Sequence, residues 1–373
     1  MRHAGAPEAF IKLSFYKCIF LFLAPIERAV ITIYRGQTMQ LSRIFGALSL
    51  SLALSCGVSH AATITGAGSS FAAPIYGAWG ETAQKAIGTS VNYQSVGSGA
   101  GQNQAIARTV DFGASDKPMD AAKLDSNKLY QFPTAMGGIV VIVNVPGIAP
   151  GALKLDGPAI AGLYDGTIST WNDPRIAALN PGLKLPDTDV APIHRADASG
   201  TSFVFTSYLA KVSGAWKQKF GAGTSIAWAG GAGARGNDGV AAGVKESEGG
   251  IGYVEYAYAS RNHLNMAQLR DHDGAFIKPG SAAFAAAAAH ADWAHADRYA
   301  VDLLDTAGAN AWPIMSATFV LVPTDPKDAA QGKAVKDFFS YALKNGNPDA
   351  VKLDYVPLPQ SVKNAVLQGW PKN

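Results

Sequence analysis

The chain has 373 residues, enough for two domains of ordinary size, each with its own core. Glycine is abundant at 40 residues, and the rest of the composition, 48% hydrophobic and 16% charged, is that of a soluble globular protein. The formal net charge of +3 belongs to the first 61 residues: removing six basic residues (Arg2, Lys12, Lys17, Arg28, Arg35, Arg43) and two acidic ones (Glu8, Glu27) leaves 25 of the 31 basic and 26 of the 28 acidic residues, a net −1 that gives no reason to invoke nucleic acid or an anionic membrane.

Met39-Gln-Leu-Ser-Arg43, the apolar run Ile44 to Ser59 and the small-residue end Ser59-His60-Ala61 have the three parts of a secretory signal, with cleavage expected after Ala61. A second apolar run, Cys18 to Ile26, is too short to span a bilayer. Met39 therefore reads as the start, residues 1–38 as an upstream extension from an early start assignment, and 39–61 as the signal peptide. Both cysteines, Cys18 and Cys56, precede the cut, so the exported chain has neither a disulfide nor a thiolate metal site. Cys56 fits a lipid anchor poorly, because Leu54 sits one place too near it for the usual bacterial lipobox. A free, soluble product follows.

From Ala62 the chain opens with a short strand pattern running into Gly66-Ala67-Gly68-Ser69-Ser70-Phe71. The apolar positions Ala73, Ile75, Trp79, Ala83 and Ala86 then predict a helix, with Pro74 in its first turn and Gly88 ending it. The next unit repeats the arrangement: strand Val91 to Val96, a loop Gly97 to Gly101 holding Ser98, and a short helix Gln102 to Arg108. Val110 to Asp116 runs from strand to turn and leaves Asp116 near a strand's carboxyl end, where ligands of open α/β sheets gather.

Two apolar β-branched runs, Gly138 to Val145 and Ala317 to Val322, read as buried strands crossing between two lobes. The expected division is lobe I from residues 62–136 and 319–373, with lobe II, 137–318, inserted between. Within the insert, helical patterns fall at Gly157 to Leu163 and Arg175 to Leu179, with a strand around Val190 to His194. Late helices are expected at Lys333 to Leu343 and Ser361 to Leu367. The Ala282 to Ala289 tract reads as helix, anchored by Phe284, Trp293 and Tyr299.

Arg195-Ala-Asp-Ala-Ser-Gly-Thr-Ser-Phe203 places a guanidinium, a carboxylate, two hydroxyls and a glycine immediately before a helical pattern, Phe203, Val204, Tyr208, Leu209, Val212. Ser199 to Thr201 thus fall where a helix presents unpaired N–H groups to an anion, Arg195 adds a donor fork, and Asp197 is placed to hold that fork. Alone, the stretch is equally a helix cap beside a surface ion pair. Hydroxyl-rich helix starts after Ser70, after Ser98 and at Ser199, together with Arg195 and Asp116, favour the anion. Gly231-Ala-Gly-Ala-Arg-Gly236, with Glu255 nineteen residues beyond it, matches a dinucleotide pattern weakly; the short, Trp228-containing strand pattern before it, Ser225 to Ala229, favours a plain cap for a helix starting near Asn237. No Gly-x-Ser-x-Gly elbow, Walker lysine or His-Glu-x-x-His is present, and the seven histidines are scattered, with His290 and His295 expected on a helix surface.

The segments Thr65-Gly-Ala-Gly-Ser-Ser-Phe71, Val110-Asp-Phe-Gly-Ala-Ser-Asp116, Gln131-Phe-Pro-Thr134, Leu179-Asn-Pro-Gly-Leu-Lys-Leu-Pro186, Arg195 to Phe203 and Ile251-Gly-Tyr-Val-Glu-Tyr-Ala257 resemble the periplasmic phosphate-binding proteins that feed ABC-type phosphate importers. The resemblance covers essentially the whole exported chain. It implies an α/β, type II clamshell of two lobes, each a mixed sheet flanked by helices, joined by two crossing strands and enclosing phosphate. It places phosphate contacts on Ser70, the backbone N–H of Phe71, Ser98, Asp116, Arg195, Ser199, Gly200 and Thr201, with Asp197 orienting Arg195. It further implies a periplasmic monomer with inorganic phosphate and membrane permease subunits as partners, no nucleic acid, no cofactor, no metal and no catalytic residue.

Three positions depart from the family pattern. Ser70 stands where threonine is common, Ala198 replaces a glycine before Ser199, and Ala100 replaces a glycine after Ser98. Asp116 is the informative member: a carboxylate beside an anion repels it unless a proton lies between them, which phosphate supplies and sulfate does not. A secreted phosphate-processing enzyme, or a binding protein for another oxyanion, are the alternatives.

Overall fold

The computed structural model describes residues Ala62–Pro371. The expected upstream extension, signal peptide, cleavage point, Cys18 and Cys56 lie outside them. Among the described residues no helix is long and apolar enough to cross a membrane.

The strands are β1 (Thr63–Gly68), β2 (Ser90–Ser95), β3 (Phe112–Ser115), β4 (Leu129–Asn144), β5 (Lys154–Leu155), β6 (Ala191–Arg195), β7 (Ala232–Ala234), β8 (Gly250–Glu255), β9 (Asn265–Met266), β10 (Gln268–Arg270), β11 (Phe276–Ile277), β12 (Met315–Pro323) and β13 (Val356–Pro357). The main sheet runs β2-β1-β3-β12-β4-β8-β6-β7, with β13 and β9 pairing onto β4; β11-β10-β5 form a small second sheet.

Strand β4 organises the molecule. Its first part, Leu129 to Gly138, pairs antiparallel with β12, and its second, Ile139 to Asn144, pairs antiparallel with β8. The Gly138–Val145 run is therefore one end of a 16-residue strand buried along nearly its whole length. Two glycines sit at the change of partner, and here close approach requires them. A Cβ on Gly137 would lie 2.8 Å from the Phe71 ring, and one on Gly138 would lie 2.2 Å from the ring of Phe284.

On one side of this change β1, β2 and β3 are parallel, linked by the helices Ala73–Ile87 and Ser98–Ala107; on the other β6 is parallel to both β7 and β8. Aromatic side chains pack the core on both sides. Phe339, from the Ala329–Asn345 helix, meets Phe112 and Phe132 edge-on with centroids 5.0 and 5.3 Å apart, while Phe205 stacks on Tyr253 at 4.1 Å. Each such ring contributes roughly 1.5–3 kcal/mol by burial alone.

Most predicted elements occur within a few residues of their expected ends, and Gly88 ends the first helix in the left-handed conformation, φ 70°. Three expectations are corrected. The second helix begins at Ser98, so Ser98, Gly99, Ala100 and Gly101 are its first turn; the strained turn is Gly97 alone, at φ 91°, and the tight fit of Gly101 against the backbone of Gly68 and Ala114 lets the helix start early. Residues Ser225 to Ala229 form no strand; β7 lies inside the glycine-rich segment and pairs with β6. The alanine-rich helix is Ser281–Ala288, so His290 lies in the turn after it and His295 in the following loop.

Candidate functional site

Strands β1, β3, β6 and β8 deliver their carboxyl ends to one buried region. Beyond β1 the chain turns through Ser69 and Ser70; beyond β3 stands Asp116, only 1% exposed. Hydroxyls surround its carboxylate. Ser69 Oγ donates to Oδ1 at 2.6 Å and Thr318 Oγ1 to the same oxygen at 2.8 Å, while Ser98 Oγ stands 3.4 Å from Oδ2 and accepts from the Asp116 N–H at 3.1 Å. Burial pushes the Asp116 pKa from 3.8 up to about 6, against the lowering by Ser69, Thr318, Arg195 and Ser98.

Arg195, the last residue of β6, is 4% exposed. Asp197 grips it with two parallel bonds, Nε to Oδ1 at 2.7 Å and Nη2 to Oδ2 at 2.5 Å, which leaves Nη1 facing Thr201 Oγ1 at 3.5 Å. Asp197, the residue expected to orient Arg195, is the one that makes this two-bond contact. Burial tends to raise the Asp197 pKa, but the Arg195 bonds and charge outweigh it and hold the carboxyl below its ordinary value. Ser199 caps the Gly200–Val212 helix, accepting the Ser202 N–H at 3.0 Å, so the N–H groups of its first turn open onto the same region. Tyr253, one ring of the stack under this helix, accepts the Arg195 N–H at 3.2 Å and shares a 2.6 Å bond with Ser202 Oγ.

The two sets of residues interlock. Gly99 N donates to Ala198 O at 2.9 Å, Asn237 Nδ2 to Ser70 Oγ at 2.8 Å, and Tyr258 OH to Ser70 O at 2.7 Å. At Gly200 a Cβ would lie 2.3 Å from Ser98 Oγ and 2.5 Å from Asp116 Oδ2, so only glycine permits this approach. Ser70, Ser98, Asp116, Arg195, Asp197, Ser199, Gly200 and Thr201, dispersed over 132 positions of sequence, meet at one place; Phe71 follows Ser70 with its ring turned into the core and its carbonyl accepting from Tyr355 OH at 2.6 Å.

A sequence model described as a PBP superfamily domain matches residues 57–345. Over 307 residues the chain is 47% identical to the phosphate-binding protein PstS of Xylella fastidiosa strain Temecula1, an alignment covering 82% of this chain and 84% of that protein. Over 312 residues it is 48% identical to the phosphate-binding protein PstS of Pasteurella multocida, covering 84% and 91% of the two. The chain belongs to the PstS family.

Two solved structures share its fold with this PstS family member: a high affinity periplasmic phosphate-binding protein bound with phosphate (TM-score 0.64, 21% identity, 82% of this chain and 92% of the other), and a phosphate-binding protein from Stenotrophomonas maltophilia (TM-score 0.63, 19% identity, 82% and 93%). The fold is the two-lobed α/β clamshell with mixed sheets flanked by helices.

Four site residues were not legible in the sequence: Ser69, Thr318, Asn237 and Tyr258. Ser69 adjoins Ser70 in sequence, but the direction of each hydroxyl is set by the turn after β1. Thr318 reads as part of an ordinary buried strand, and only the antiparallel pairing of β12 with β3 brings it to Asp116. Glu255, the acidic residue of the weak dinucleotide pattern, is fully buried and accepts the Ala257 N–H at 3.0 Å; burial holds its pKa well above the ordinary value.

Proposed function

We propose that this chain binds inorganic phosphate between its two lobes and delivers it to an ABC-type importer. The observation that carries the reading is the burial together of Asp116, the Asp197-held guanidinium of Arg195 and the starts of two helices, Ser98–Ala107 and Gly200–Val212. Each helix start brings about half a positive charge, and each charge-assisted bond about 1.5–3 kcal/mol, which offsets the desolvation of a dianion.

Asp116 selects among anions. Ser69 and Thr318 donate to Oδ1 and fill its two lone pairs, so Oδ2 is the oxygen left to accept the ligand's proton. Phosphate has that proton at neutral pH and sulfate lacks it, which disfavours the reading of the site as one for sulfate. Calorimetric titration of phosphate against sulfate on the unsubstituted chain and on Asp116→Asn tests this role; selectivity that survives the substitution removes it.

Lobe I is residues 62–136 and 319–373 and lobe II is 137–318, a division supported by the change of β4's partners after Gly138. Ser70, Ser98 and Asp116 belong to one lobe, Arg195 and Ser199 to Thr201 to the other, so a ligand touching both favours the closed form. Small-angle scattering with and without phosphate should show a smaller radius on binding. The product acts as a periplasmic monomer after cleavage behind Ala61 and meets membrane permease subunits; amino-terminal sequencing of the exported protein tests the cut. The chain is not an enzyme in this reading, and turnover of an aryl phosphate would overturn that.

A further inference from the structure

Asn237, which the sequence suggested only as part of a helix cap, is fully buried at the second residue of the Gly236–Glu246 helix. Its amide orientation is fixed from outside the site: the Glu255 N–H can only donate, and it donates to Asn237 Oδ1 at 3.0 Å, so the amide NH2 must point the other way. Nδ2 then lies 2.8 Å from Ser70 Oγ and 3.4 Å from Thr201 Oγ1, and the Asn237 backbone N–H donates to Ser70 Oγ at 3.3 Å.

A serine hydroxyl has two lone pairs and one proton. At Ser70 both lone pairs are engaged by Asn237. Thr201 is treated alike, receiving Asn237 Nδ2 and Arg195 Nη1 at 3.4 and 3.5 Å. Neither hydroxyl has acceptor capacity left to offer, and each must use its proton as a donor.

We propose that Asn237 is a positioning residue that sets the polarity of the anion site, turning Ser70 and Thr201 into obligate donors while tying a residue of one lobe to the helix starts of the other. This rests on the phosphate reading above. A tetrahedral oxyanion needs donors at nearly every oxygen, and a hydroxyl free to rotate would spend part of its time presenting a lone pair to it. Asn237 removes that choice as the lobes meet around the ligand, when its bond to Ser70 forms.

The test is calorimetric titration with inorganic phosphate on the full exported chain, with circular dichroism confirming the fold. Asn237→Ala should weaken phosphate binding by roughly tenfold or more, whereas in a Ser70→Ala background the same substitution should cost only a small part of that. A merely structural role, such as holding the Glu255 N–H, predicts equal costs in both backgrounds and would overturn the proposal. Asn237→Asp is isosteric and carries the test if Asn237→Ala does not fold. Its carboxylate draws the Ser70 proton away from the anion, so a loss larger than that of Asn237→Ala is expected, roughly a hundredfold or more. Unchanged phosphate affinity in Asn237→Asp sinks the idea. Absence of phosphate binding by the unsubstituted chain overturns the functional reading and this inference together; normal binding with equal costs overturns this inference alone.

Discussion

On the proposed reading of the site, sulfate exclusion should depend on pH, with Asp116 setting where. Sulfate brings no proton, so it can approach Oδ2 only when Asp116 itself is protonated. Burial raises the Asp116 pKa from 3.8 to about 6, with Ser69, Thr318, Arg195 and Ser98 limiting the rise. Arg195 is the charged partner among the groups that limit the rise. Above about pH 6 the protonated fraction falls by roughly tenfold per pH unit, about 1.4 kcal/mol each, and below it the fraction saturates. The sulfate association constant should therefore drop by roughly a hundredfold between about pH 6 and pH 8 and level off at lower pH. In Asp116→Asn the amide can donate at every pH, and the slope should vanish. Competition calorimetry across this range measures both curves. A sulfate affinity that is flat with pH in the unsubstituted chain, or a slope that persists in Asp116→Asn, refutes the reasoning.

Thr318→Val removes one of the two donors to Asp116 Oδ1, so the carboxylate pKa should rise further and the midpoint of the sulfate curve move above about pH 6. Stability follows the same group: a folded pKa raised above the unfolded value means that stability is lost as pH rises from 3.8 through about 6, so Asp116→Asn should raise the unfolding free energy measured in urea at neutral pH, by up to about 3 kcal/mol, and have no such effect below 3.8. Gly200→Ala keeps a helical position but sets a methyl 2.3 Å from Ser98 Oγ and 2.5 Å from Asp116 Oδ2; phosphate affinity should fall at least tenfold, and scattering should show incomplete closure. Phe339→Ala, in the core and away from the site, should cost about 3–5 kcal/mol in urea unfolding while leaving the phosphate affinity of the folded protein unchanged.

Helix starts were legible because their causes are local. Ser199 is followed by a glycine and an apolar 3.6-residue period, and the structure makes it the cap of the Gly200–Val212 helix. Asp197 stands two residues from Arg195 and grips it within the same loop. The start of the second helix is not legible because Gly99-Ala100-Gly101 reads as a loop. What decides otherwise is the backbone of β1 and β3, against which Gly101 packs.

The sequence by itself determined which residue types stand at the carboxyl ends of the strands, where two long apolar strands run, and that a guanidinium, a carboxylate and several hydroxyls were available for an anion. Tertiary structure decided how they act. Thr318 and Asn237 lie 202 and 167 positions from the groups they bond, and no periodicity links them. The raised pKa of Asp116 likewise has no local cause. It arises from desolvation by burial, offset by Ser69, Ser98 and Thr318 from three separate segments and by Arg195, so the fold, and not the sequence around Asp116, shifts its affinity for a proton.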